Sequence, residues 1–311
     1  MIRALVVAVL AAVVAAPAAQ AAGSPLDMTD GFYVDPQSNP AVWVRDHPQD
    51  GRQAAIKANI SSKPIARWFG SWSGDIRSAV SGHVGGTGSK LPVLVAYNIP
   101  GRDACGGHSG GGAGSPSAYR SWISAFAAGI GNRPAVVVVE PDSLADFNCM
   151  DSGQIAERTA MIKYATEQFK AKAPNTWVYL DAGNAQWVPA GTMAGRLDAA
   201  GVRDVRGFAV NVSNYHTTAA SVTYANAVSG ALPGGGKPFV IDTSRNGNGH
   251  NGEWCNPGGR KLGTVARTGG GAEMLLWVKV PGDSDGRCGK APGVDAGQFD
   301  PQLAFDLVYG Y

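Results

Sequence analysis

The run Ala135-Val136-Val137-Val138-Val139 constrains this chain most. Five successive apolar, mostly β-branched residues leave no polar face for water. Such a run reads as a parallel strand covered on both sides by helices. Six further runs have strand character: Pro64–Phe69, Pro92–Asn98, Trp177–Asp181, Gly207–Val212, Pro238–Asp242 and Met274–Lys279, and the valine run extends to Glu140. Helical stretches separate them. Ser152–Lys172 carries Ile155, Ile162 and Phe169 seven apart, with Met161 and Ala165 on the same side. Ser117–Ile130, Pro189–Ala200 and Thr218–Ser229 read as further helices. Strand–helix alternation predicts an α/β fold with a parallel sheet. Seven strands closing on themselves would form a barrel one strand short of the eight-stranded form, and an open doubly wound sheet fits the same pattern.

The N-terminus reads as a leader. Met1-Ile2-Arg3 is basic, Ala4 to Ala16 is apolar, and Ala19-Gln20-Ala21 has a cleavage-site pattern. Residues 1–21 are therefore expected to be a signal peptide and 22–311 a single catalytic domain, secreted and monomeric. No later segment is long and apolar enough to span a membrane. The 26 basic and 24 acidic residues nearly balance. That balance argues against a nucleic-acid partner and against electrostatic membrane binding.

Cys105, Cys149, Cys255 and Cys288 are an even set in a chain read as secreted, which suggests two disulfides. Three pairings are possible; Cys105–Cys149 with Cys255–Cys288 would close one loop beside each of two carboxylate motifs. The spacing contains no CxxC or HxxxH zinc pattern, and neither metal nor cofactor is expected. Gly106-Gly107-His108-Ser109-Gly110-Gly111-Gly112 lacks the Gly-Lys-Ser/Thr end of a phosphate loop. Ser109 lacks the Gly-x-Ser-x-Gly elbow, and the five histidines form no triad.

Carboxylates gather where strands end. Asp142 follows the most apolar strand, where burial would raise its pKa and a second carboxylate would raise it further, as a general acid requires. It would serve equally as the N-cap of a short helix. Asp103 lies in the loop after Tyr97-Asn98, beside Arg102, which would pair with it in a plain structural role. Asp283 and Asp285 sit in a Pro-Gly loop after Met274–Lys279: turn residues, or a base kept ionised by Lys279. Asp181 reads as an orienting or charge-tuning residue. Several carboxylates at one end of an α/β barrel suggest acid/base hydrolysis of a glycosidic bond. Aromatics cluster beside the same loops: Trp68, Trp72, Tyr97, Trp187, Tyr215, Trp254 and Trp277. Trp68, Trp187 and Trp254 suit stacking on sugar rings, whereas Trp277, inside an apolar strand, suits the core.

Five ordered motifs resemble glycoside hydrolase family 6, the cellulases: Tyr97-Asn98-Ile99-Pro100-Gly101-Arg102-Asp103, Val139-Glu140-Pro141-Asp142-Ser143-Leu144, Leu180-Asp181-Ala182-Gly183, Asn211-Val212-Ser213-Asn214-Tyr215, and Trp277-Val278-Lys279 with Asp285-Gly286. The resemblance implies a distorted seven-stranded parallel β/α barrel, TIM-like, with the disulfide pairing given above. It implies hydrolysis of β-1,4-glucan with inversion. Asp142 would be the proton donor, Asp103 would raise the donor's pKa and position water, and Asp285 would be the base, a role the family alternatively gives to a water chain. Trp68, Ser109, Trp187, Asn214, Trp254, Lys279 and Asp283 would line sugar subsites, with Tyr97, Asp181 and Asn184 completing the expected substrate contacts.

Three positions depart from the family pattern. Ala104 is inserted between Asp103 and Cys105, Asn184 stands where histidine is common, and Asp283 stands where glutamate is common. Exo-acting relatives roof the site with long loops in the two disulfide regions. Short loops here predict an open cleft and an endoglucanase. A cellobiohydrolase, or a glucan-binding protein that has lost catalysis, is the alternative.

Overall fold

The structure, a computed structural model, describes residues 24–311; the expected leader lies outside the described residues. Its centre is a curled sheet of eight strands: β1 (Arg67–Phe69), β2 (Val93–Ala96), β3 (Ala135–Val139), β4 (Thr176–Asp181), β5 (Gly207–Val210), β6 (Phe239–Asp242), β7 (Arg267–Thr268) and β8 (Met274–Leu276). The order is β1-β2-β3-β4-β5-β6-β8-β7. All pairs are parallel except β7 with β8. The seven expected strands are present, and β7 corrects the count. It is a two-residue antiparallel partner with both residues exposed, so it has no apolar signature. The sheet curls far enough for the chain entering β1 to reach the chain leaving β8, Ala66 N–H donating to Trp277 C=O (2.9 Å).

Side chains alternate between two apolar environments, as strand pleating dictates. Val95, Val136, Val138, Tyr179, Ala209, Val240 and Leu276 fill the inside of the curl. Leu94, Val137, Val139, Leu180, Phe208 and Ile241 face outward against helices. Those helices are α3 (Ile76–Gly85), α4 (Pro116–Ile130), α5 (Ser152–Lys172), α6 (Ala190–Ala199) and α7 (Thr218–Ala231). A smaller cluster packs α1 (Asn39–Asp46), α2 (Gln53–Ile56) and α8 (Pro301–Tyr309) against Trp277 and Val280, where Trp277 is core as expected. Helix starts are chemically marked. Asp151 and Gln154 form a reciprocal capping box on α5, and Asp75, Ser115, Thr217 and Asp300 cap α3, α4, α7 and α8. Among the described residues no helix is long and apolar enough to cross a membrane.

Candidate active site

Backbone strain concentrates where the parallel strands end. Asp103, Glu140, Asp142, Asn211 and Ser213 all have φ between 50° and 70°, a region costly for residues other than glycine. Buried carboxylates hold these turns. Glu140 accepts Asn98 N–H (2.9 Å) and Ile99 N–H (3.0 Å), tying the end of β2 to β3. Asp181 Oδ2 accepts Asp142 N–H and Gly183 N–H, both at 2.9 Å. Asp242 accepts from Ser213, Ser244, Val278 and Lys279, joining the loops after β5, β6 and β8. Arg158 of α5 is buried beneath the Asp103 loop and donates to the carbonyls of Pro100 (3.0 Å) and Gly101 (2.5 Å).

Within this frame the two leading carboxyls are shifted in opposite directions. Burial pushes the Asp142 carboxyl well above the usual range, and the charges of Asp181, Asp103 and Asp146 push the same way. Asp285 is equally buried, which alone would raise its pKa. Arg245 and Lys279 outweigh that and hold it well below the usual range. Arg245 donates to Asp285 Oδ2 (2.9 Å) and Lys279 lies 3.0 Å from Oδ1. Tyr215 O–H and Asn256 N–H, each at 3.1 Å, complete the set on Oδ2. Asp283, two residues earlier, has no such partners. Burial pushes it up to about 7 against the opposing Lys279 charge and the Asn39 amide at 2.8 Å. Asp181 is likewise raised to about 7 by burial.

Asp103 belongs to a relay of polar groups. Ser109 N–H (2.6 Å) and its hydroxyl (3.2 Å) donate to Asp103 Oδ2, and Ser109 Oγ shares a 2.8 Å hydrogen bond with Tyr97 O–H. Ala104 precedes Cys105, whose N–H donates to Asp146 Oδ2 (3.1 Å), so the inserted residue is accommodated in an anchored turn. Trp68 is fixed by Nε1–H to Val278 C=O (2.8 Å) and packs edge-on against Tyr97 (5.2 Å). Trp187 and Trp254 are 36% and 46% exposed, which leaves their faces open to a ligand. Asn184 is buried, donates to Asn214 Oδ1 (3.2 Å) and accepts Gln186 N–H (3.0 Å), while Asn214 donates to Val212 C=O (2.9 Å). The pair therefore braces the turn after β4 against that after β5.

The disulfides are Cys105–Cys149 and Cys255–Cys288, the pairing the resemblance implies. The two stapled loops touch: the His108 ring packs edge-on to Trp254 (5.2 Å), and a β-carbon at Gly286 would lie 2.8 Å from His108 Nδ1. Lys279 and Asp285 thus meet as the sequence suggested. Arg245 and Asn256, which help hold Asp285 ionised, were not singled out for the site, and Tyr215, which bonds the same oxygen, was named only among the aromatics beside the loops and in a motif. The one sequence signal for Arg245 is its place three residues beyond the strand-end Asp242.

Comparison with known proteins places these features in a group. The model of "Glycosyl hydrolases family 6" matches residues 28–309. Endoglucanase 1 of Streptomyces halstedii is 59% identical over 302 residues, spanning 96% of this chain and 94% of that protein. Endoglucanase A of Thermobispora bispora is 43% identical over 310 residues, spanning 97% of this chain and 65% of that protein. The structure of the endoglucanase Cel6 from Mycobacterium tuberculosis, in complex with methyl-cellobiosyl-4-deoxy-4-thio-β-D-cellobioside, superposes with a TM-score of 0.84 at 38% identity, covering 93% of this chain and 99% of that one. With matches running through nearly all the described residues, and the motif residues converging at one end of the sheet, this chain belongs to glycosyl hydrolases family 6.

Proposed function

We propose that the protein is a secreted endo-β-1,4-glucanase that hydrolyses internal bonds of cellulose or a related β-glucan with inversion. The observation that carries the chemistry is the opposed shift of two carboxyls at the strand ends: Asp142 is pushed up toward its protonated form and Asp285 is held down toward its ionised form. A protonated carboxyl can give its proton to the departing glycosidic oxygen, and desolvation together with the charges of Asp181 and Asp103 shifts Asp142 toward that form. Asp103, oriented by Ser109 through Oδ2, positions the water that attacks the anomeric carbon from the opposite face. Asp285 matches the family's usual base. Its four protein partners and depressed pKa make it a weak proton acceptor, which favours the water-chain alternative for removing the proton. Asp285 then acts as a fixed anion that holds Lys279 and Arg245 in place.

The endo assignment rests on the endoglucanase names of the similar proteins and on the short spans between disulfide partners, 44 and 33 residues. The His108–Trp254 contact, which joins the two loops, is the observation that favours an exo-acting alternative. Viscosity loss against reducing-sugar release on carboxymethylcellulose separates them, run for wild type and Asp142→Asn in parallel. Rapid viscosity loss by wild type alone is expected. Slow viscosity loss at equal sugar release would mean exo action, and activity retained by Asp142→Asn would remove Asp142 as the acid. The secretion reading is tested separately, by N-terminal sequencing of the protein recovered from culture medium, which is expected to begin near Ala22.

A further inference from the structure

Trp72 is the most exposed tryptophan of the described chain among its large exposed hydrophobic side chains, at 57%, and no role above accounts for it. It stands in a short turn, Ser71–Ser73, immediately beyond β1 and so at the same end of the sheet as Asp103 and Asp142. The turn is fixed at both sides: Ser73 N–H donates to Gly70 C=O (3.0 Å), and Gly70 N–H donates to Ser73 Oγ (3.1 Å). The indole lies across Gly70, where a β-carbon would sit 2.3 Å from the ring. Only glycine permits this placement. The other side of the connection is Arg102. Its guanidinium carbon is 5.5 Å from the Trp72 ring centre and 4.7 Å from that of Tyr97, while Nε–H donates to Ser109 C=O (2.8 Å). Arg102 Nη1 is buried and makes no hydrogen bond. Trp68, Tyr97, Arg102 and Trp72 therefore form one continuous line of rings and one guanidinium, running outward from the cleft on its β1 side. Trp187, after β4, stands three strands along the sheet.

We propose that Trp72, seated on Gly70 and steadied by Arg102, is the stacking platform of an outer sugar subsite for the same glucan chain that fills the cleft, beyond the place served by Trp68. The occupant is a glucosyl ring, because an exposed, pre-ordered indole continuous with the cleft offers a flat apolar face of the kind sugar rings stack on. This rests on the glucanase reading above. A subsite remote from the bond cleaved contributes only when the oligosaccharide is long enough to reach it.

The test compares Trp72→Ala and Trp72→Phe with wild type on cellotetraose and cellohexaose. Trp72 is exposed, so both variants are expected to fold, which thermal melting verifies. Trp72→Ala is expected to lower kcat/KM for cellohexaose by about five- to tenfold while changing cellotetraose by less than about twofold, with Trp72→Phe in between. Equal effects on both substrates, or none on either, would overturn the proposal. Titration of the same two oligosaccharides into the Asp142→Asn variant, with and without Trp72→Ala, separates this idea from the glucanase reading. A length-dependent loss of binding supports the platform even where wild type shows no turnover. Binding of cellohexaose unchanged by Trp72→Ala refutes it.

Discussion

Arg245→Met tests whether Asp285 is held as a permanent anion. The arginine and aspartate side chains are 4% and 6% exposed, and Lys279, on the other carboxylate oxygen, is 12% exposed. With charges about 4 Å apart and an effective dielectric near 20, one such attraction is worth about 4 kcal/mol. Breaking a buried pair by removing one partner costs about 3–5 kcal/mol in practice, because the remaining charge is left uncompensated. Lys279, Tyr215 and Asn256 remain to soften the loss, so Arg245→Met is expected to destabilise by about 3 kcal/mol at pH 7. Urea denaturation of wild type, Arg245→Met, Asp285→Asn and the double variant measures the cost and the coupling. The pH dependence has a defined sign. Asp285 has a depressed folded pKa, so its stabilisation is present above the unfolded value and is lost as pH falls through the lower folded value. The gap between wild type and Arg245→Met should hold from pH 7 down to about 4 and narrow below it. A cost under about 1 kcal/mol, or single-variant effects that add to within about 0.5 kcal/mol, would refute the argument.

Two further predictions concern the frame of the site. Glu140, Asp181 and Asp283 are each raised to about 7, chiefly by burial, so the native state binds more protons than the unfolded chain between about pH 4 and 7. Stability should therefore fall as pH rises through that window, and a urea midpoint that climbs from pH 5 to pH 8 would contradict it. At Gly112, with φ at 101°, a β-carbon would lie 2.0 Å from Ile99 C=O. Gly112→Ala should cost about 3 kcal/mol and lower kcat by displacing the Asp103 loop, whereas an unchanged melting temperature and kcat would show that the loop yields without consequence.

The parallel strands were legible because both faces of each are buried, so the apolar signal is continuous and needs no partner to interpret. What went unread lacked that local signal. In α3, Ile76, Val80 and Val84 form a buried stripe, but Ser78, Ser81, Gly82 and Gly85 dilute it to the composition of a loop. The helices α1, α2 and α8 are short and bury their apolar residues against one another and against Trp277, so their pattern emerges only with the tertiary contact. β7 is two exposed residues whose strand character comes wholly from pairing with β8.

The site shows the same division, at the level of charge. Asp142 and Asp285 are both aspartates in turns beyond parallel strands, and both are largely withdrawn from solvent. From sequence alone they differ only in the apolar strand that precedes Asp142 and in the nearby Lys279 of Asp285. Burial raises the pKa of each, so burial does not tell them apart. The difference comes from what the sheet brings near. Asp142 faces Asp181 from the end of β4 and Asp103 from the loop after β2, charges of its own sign. Asp285 faces Arg245, 40 residues away in the loop after β6, and Lys279, just beyond β8. Lys279 is local enough to be read as a partner of Asp285. Arg245 is not, and its charge contributes more than that of Lys279 to holding that carboxylate ionised. The opposed shifts of the two carboxyls therefore depend on what the sheet order brings beside each, and replacing Arg245 in the loop after β6 would weaken the shift at Asp285 while every motif residue stayed in place.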